Sequence, residues 1–156
     1  IRPPPKSTLF PYTTLFRSPK VDAQKALKLY RALHKAIKAG LVASCHDCSD
    51  GGLAVALAET AFAGGLGLNV DLKDVPYRGK KRDDFVLFSE TASRFVVTIA
   101  PKDQAGFEKL MKGNVAREIG FVTGDGLLNI SGLSGRPVIR EKISTLKSVW
   151  QKPLNF

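Results

Sequence analysis

The stretch that decides the fold is Ala43-Ser44-Cys45-His46-Asp47-Cys48-Ser49-Asp50-Gly51-Gly52-Leu53. It runs out of a short apolar segment, Leu41–Cys45, that reads as a strand. It leads into a helix over Leu53–Ala63 that is apolar on every side except at Glu59 and Thr60. A helix start carries unpaired backbone N–H groups and the positive end of the helix dipole, and both attract phosphate oxygens. Gly51 and Gly52 let a ligand approach the backbone because no Cβ stands in the way. Carboxylates beside such a corner repel phosphate unless a hard cation such as Mg²⁺ lies between them. Asp47, Ser49 and Asp50 therefore admit two readings. Any one of them can cap the helix, yet three oxygen side chains in four positions exceed what one cap needs. On the residues alone, capping and phosphate-plus-magnesium binding both stay open.

The rest of the composition narrows the class. The 156 residues, 44% of them hydrophobic, suffice for one domain with a real core. No apolar run approaches the roughly 18–20 residues of a membrane span, so no membrane partner is expected. The two cysteines lie three positions apart, which suggests a reducing, cytoplasmic setting and no disulfide framework. The net charge of +10 suits a phosphorylated ligand, and solvated lysines explain it equally well. Residues 1–18 form neither a helical nor an alternating pattern, contain four prolines and close on Pro11-Tyr12-Thr13-Thr14-Leu15-Phe16-Arg17-Ser18. This segment resembles a translated sequencing-adaptor peptide. It is expected to be a non-native, disordered leader rather than a transit peptide, with the domain occupying 19–156 as a fragment of a larger enzyme.

Periodicity along 19–156 alternates helix and strand. Asp22 is placed to cap a helix over Ala23–Ala39, with Leu27, Tyr30, Leu33 and Ile37 as its apolar stripe and Gly40 as its stop. Leu66–Leu72 alternates as a strand. Arg94–Ala100 is β-branched and ends at Pro101. Lys102–Lys112 reads as a helix with Phe107, Leu110 and Met111 on one side. Arg117–Thr123 and Leu127–Ile130 read as a hairpin about Gly124-Asp125-Gly126, and Glu141–Gln151 as a last helix. The sum is an α/β fold, three-layer α/β/α around a mixed sheet.

Other motifs carry less. Cys45-His46-Asp47-Cys48 matches C-x-x-C, but the neighbouring carboxylates disfavour a thiolate and no second ligand pair exists for zinc. Buried small residues are the simpler role for both cysteines. His46 by itself reads as a hydrogen-bonded junction histidine. The basic run Arg78–Arg82 lacks interleaved aromatics, so nucleic acid is not expected as a partner. Glu90 and Arg94, flanking a turn, read most simply as a surface ion pair. The phosphate-loop, dinucleotide and nucleophile-elbow signatures are all missing.

The order His46-Asp47-Cys48-Ser49-Asp50-Gly51-Gly52-Leu53-Ala54-Val55-Ala56-Leu57-Ala58-Glu59, then Ala63-Gly64-Gly65-Leu66-Gly67, Leu87-Phe88-Ser89-Glu90 and Ser93-Arg94-Phe95-Val96-Val97, resembles the C-terminal end of the phosphoribosylformylglycinamidine synthase family. Gly120–Gly124 and Trp150–Leu154 fit the same pattern. Within the superfamily, aminoimidazole ribonucleotide synthetase and selenophosphate synthetase match the first block less well. The resemblance implies a fold like the C-terminal domain of aminoimidazole ribonucleotide synthetase. It implies a part in the ATP-dependent ligase step of purine biosynthesis that converts formylglycinamide ribonucleotide to its amidine. It implies Mg²⁺ and ATP or ADP as cofactors, Asp47 as metal ligand, and Ser49, Gly51 and Gly52 on the nucleotide. His46, Asp50, Glu90 and Arg94 would support them, with no catalytic residue in this stretch. The implied partners are N-terminal domains of the same subunit and, for a short-chain form, a glutaminase subunit and a small bridging subunit. The rival expectation is a packing module that binds no ligand.

Overall fold

The computed structural model describes residues 21–154, so the leader expected at 1–18 lies outside the described residues. Helix α1 (Ala23–Lys38) starts at Asp22, whose carboxylate accepts the Lys25 N–H at 3.1 Å. It ends in a left-handed Gly40, with the Gly40 N–H on the Ile37 carbonyl and the Leu41 N–H on the Ala36 carbonyl. This pair of bonds is a Schellman closure. It uses Leu41 as part of the helix end, and strand β1 (Ser44–Asp47) accordingly begins three residues later than the sequence suggests. The strand then runs on through His46 and Asp47, which the apolar pattern had assigned to the junction. The expected stripe of α1 is also corrected. Leu27, Tyr30 and Ile37 are exposed, while Ala26, Ala32, Leu33 and Ala36 are buried. Both sets have helical spacing, and the small-residue set is the one that admits the neighbouring helix closely.

Helix α2 (Gly52–Gly64) buries Gly52, Leu53, Ala54, Ala56, Leu57 and Ala61. Its lack of a polar face is explained by its neighbours, since it packs on both sheets and on two helices. Strand β2 (Gly67–Asp71) follows, then helix α3 (Asp83–Phe88), strand β3 (Phe95–Thr98), helix α4 (Gln104–Met111), strands β4 (Gly120–Thr123), β5 (Leu127–Ser131) and β6 (Pro137–Lys142), and helix α5 (Ile143–Gln151).

The strands form two sheets. Strands β1 and β3 pair antiparallel, with His46 opposite Val96 and Asp47 opposite Phe95. The other four run in the order β4-β2-β5-β6, with β2 antiparallel to β4 and parallel to β5. The hairpin expected between β4 and β5 is therefore wrong, because β2 lies between them. Three residues, 124–126, bridge roughly 10 Å across the end of β2, within reach of that many peptide units. They pass so close to Gly67 that a Cβ there would meet Asp125 Oδ1, Thr123 Oγ1 and, at 2.6 Å, the Leu127 carbonyl. The real hairpin is β5–β6, whose second strand the sequence pattern does not announce. It turns at a left-handed Gly135 and starts on Pro137, as an edge strand tolerates.

Alternation along β3 reveals the layers. Phe95 and Val97 pack with Leu33, Phe107 and Met111 of the α1–α4 pair, whereas Val96 joins the main core with Leu53 and Leu57. Leu57, Leu72, Leu128 and Ile130 are fully enclosed there. Removing each from water contributes about 1.5–3 kcal/mol.

Candidate functional site

Strand pleat sorts the residues of the 43–53 stretch before any ligand is considered. Cys45 and Asp47 share the face of Phe95 and Val97, toward α1, while His46 shares the face of Val96, toward α2. Asp47 thus opens into a cavity of about 560 Å³ lined by Tyr30, Cys45, Cys48, Ser49, Asp50, Glu90, Ser93, Arg94 and Phe95 among others. Five of the residues singled out in the sequence, Asp47, Ser49, Asp50, Glu90 and Arg94, meet at this one cavity.

His46 lies behind it, beside a second cavity of about 390 Å³. Its Nε2 sits 2.7 Å from Glu59 Oε2, and its Nδ1 lies 2.7 Å from the Asp47 carbonyl. The other Glu59 oxygen accepts the Trp150 indole N–H at 2.8 Å. Glu59 and Trp150 had no assigned role in the sequence. Their only signal was Glu59 itself, a carboxylate on an otherwise apolar helix.

In the first cavity the Ser49 hydroxyl donates to Asp47 Oδ2. That bond, aided by the Asp47 backbone and the nearby His46, holds the exposed Asp47 carboxyl below the usual range. None of Asp47, Ser49 and Asp50 caps α2 with its side chain, and the helix begins at a left-handed Gly51. Instead Glu90 Oε1 accepts the Gly51 N–H at 2.9 Å, and the Gly52 N–H is taken by the Ser49 carbonyl at 3.0 Å. Gly52 also admits the end of α3, since a Cβ would lie 2.6 Å from the Ser89 carbonyl and 2.8 Å from that of Leu87. Arg94 donates to the Ser89 carbonyl at 2.9 Å. Glu90 and Arg94 therefore each hold backbone, in place of the expected ion pair with one another.

Cys48 is buried as expected, but Cys45 is exposed, because the pleat turns it to the cavity. Partial enclosure pushes both thiols up, and the Asp47 charge adds to this at Cys45. Among the described residues, no three His, Cys, Asp or Glu side chains gather as a ready metal cage. Mg²⁺ needs less, since it takes one or two carboxylates and completes its shell with water and phosphate oxygens. Asp47, low in its titration range and open to the cavity beside Asp50, suits that mode. No helix among the described residues is long and apolar enough to cross a membrane.

The chain matches the family model for "AIR synthase related protein, C-terminal domain" over residues 6–132. Solved structures from Thermotoga maritima share the fold. Phosphoribosylformylglycinamidine synthase II is 21% identical with a TM-score of 0.72, covering 82% of this chain and 22% of that one. PurL complexed with FGAR is 22% identical with a TM-score of 0.70, covering 78% and 20%. PurL complexed with ADP is 22% identical with a TM-score of 0.69, covering 76% and 21%. This chain spans about a fifth of the length of the chains it matches. With the family model covering most of its residues, the chain belongs to the AIR synthase related proteins, as a C-terminal domain of that family.

Proposed function

We propose that this chain is the closing domain of a phosphoribosylformylglycinamidine synthase large subunit and forms one wall of a magnesium-nucleotide site. The observation that carries the reading is the convergence of Asp47, Ser49, Asp50, Glu90 and Arg94 on one cavity, in a fold shared with an ADP-complexed relative. Asp47 would hold Mg²⁺ with Asp50 beside it, and Ser49 would contact phosphate. A phosphate reaches the Gly51 amide only in exchange for Glu90, which already occupies it.

In the whole enzyme the amide oxygen of the formylglycinamide ribonucleotide would take a phosphoryl group from ATP, leaving ADP, and ammonia would then displace that oxygen as inorganic phosphate. The proposal assigns this chain no catalytic residue and no turnover alone. The partners it implies are N-terminal domains of the same subunit and, for a short-chain form, a glutaminase subunit and a bridging subunit, in the cytoplasm. Residues 1–18 are proposed as an adaptor-like leader. The family match reaches back to residue 6, so the boundary is decided by recovering the upstream gene sequence. A single upstream β-rich domain, in place of a tandem repeat, would instead favour a selenophosphate-synthetase-like enzyme.

The test is titration calorimetry with Mg-ADP. Wild type should bind, and an Asp47→Ala, Ser49→Ala double variant should lose at least about tenfold in affinity, as loss of charge-assisted contacts implies. Equal binding by both would remove the site from these residues. Amidine formation by the purified chain with ATP and ammonia would overturn its proposed inactivity. A second reading, a packing module without ligand, is favoured by exposed Phe121, Val122, Val149 and Trp150. Concentration-dependent association without nucleotide binding would select it.

A further inference from the structure

Ser93 is the one non-glycine residue with a left-handed backbone among the described residues, at φ 65°. Such a conformation is strained for a side-chain-bearing residue and persists only where its surroundings enforce it. The Ser93 side chain is met from outside the turn. The Tyr30 hydroxyl, from the exposed side of α1, lies 2.7 Å from Ser93 Oγ across 63 positions of sequence. The Tyr30 ring packs edge-on against Phe95, with centroids 5.8 Å apart. On one side of Ser93 stands Glu90, which holds the Gly51 N–H. On the other stands Arg94, whose carbonyl accepts the Cys48 N–H at 2.9 Å and whose guanidinium holds Ser89. The 89–94 turn therefore clasps both ends of the Cys48–Gly52 corner, and Ser93 is the bend that aims the clasp.

We infer that Tyr30 is a positioning residue for the cavity. Its hydroxyl holds Ser93 in the left-handed bend, which keeps Glu90 on the Gly51 amide and Arg94 on the Cys48 amide. Tyr30 touches no reacting group in this role; it acts through the turn. The relevance to ligand binding rests on the reading of the cavity as a nucleotide site, but the geometry of the clasp does not.

Amide hydrogen exchange of Gly51, followed by NMR in the full chain, tests the inference directly. Tyr30→Phe keeps the ring on Phe95 and removes only the hydroxyl. It should speed Gly51 exchange by about fivefold, the size of one lost hydrogen bond, while amides in β2 and β5 stay unchanged. Adding Ser93→Gly relieves the backbone cost that the lost bond had opposed, and should restore Gly51 protection. Unchanged Gly51 exchange in Tyr30→Phe, or no restoration in the double variant, overturns the inference. Mg-ADP affinity is measured on the same proteins. Where wild type binds, Tyr30→Phe should weaken binding and the double variant should recover it; weakening without recovery counts against the clasp. A wild type that binds no Mg-ADP removes the nucleotide reading alone, and the exchange result still decides the role of Tyr30.

Discussion

Glu90 accepts the Gly51 N–H at 2.9 Å, so the first turn of an apolar helix is capped by a carboxylate 39 residues away in sequence. The cap satisfies an orphan donor and sets a negative charge at the positive end of the helix dipole. Glu90→Ala should destabilise the chain by about 1–2 kcal/mol, and Glu90→Gln, which retains an acceptor oxygen, by less than about 1 kcal/mol. Urea unfolding followed by circular dichroism measures both. Equal losses for the two variants would show that packing, not the cap, is what Glu90 supplies.

Gly67 carries the crossing of the 124–126 bridge over β2. Gly67→Ala should cost about 2–3 kcal/mol, because the added Cβ would press on the Leu127 carbonyl, a backbone atom that cannot rotate away. Gly124→Ala, with nothing within 4 Å of its Cβ, should stay within about 0.5 kcal/mol. Thermal unfolding of the two variants side by side checks the contrast. Similar melting temperatures would contradict the close crossing.

Glu59 bridges His46 and Trp150, the only tryptophan in the chain. Glu59→Ala should lower stability by about 1–2 kcal/mol, since both partners lose a bond in a half-buried setting. It should also change the Trp150 emission, because the indole N–H then turns to water. Glu59→Gln should retain much of the emission. An unaltered spectrum in Glu59→Ala would mean that α5 does not depend on this bridge.

Asp47 titrates below the usual carboxylate range because Ser49 donates to it. A depressed folded-state value means the associated stability is present above the unfolded-state value and is lost as pH falls through the lower folded one. Ser49→Ala should raise the Asp47 midpoint toward the ordinary value, read by carboxyl carbon NMR between about pH 2 and 6. A midpoint that does not move would assign the depression to the backbone instead.

Local physics made much of this protein legible from its residues. Asp22 and Gly40 announced the ends of α1 because capping depends on neighbours a few positions away. The apolar girth of Leu53–Ala63 announced a helix buried on several sides, and the chemistry around Asp47 and Ser49 drew attention to the corner where the cavity lies. Where two patterns shared one period, as the alanine and leucine stripes of α1 did, only packing chose between them.

What the sequence by itself determined was where helices α1 and α2 begin and end, which residues carry oxygen ligands, and the family to which their order belongs. Tertiary structure decided how those elements pair and which way each side chain faces. Strand β2 slipped between β4 and β5 because strand pairing is a long-range choice that a three-residue turn does not dictate. His46 and Asp47, adjacent in the chain, went to opposite faces because β1 extended through both. Glu90, Ser93 and Tyr30 became parts of one clasp only because contacts at separations of 39 and 63 residues leave no local periodic trace.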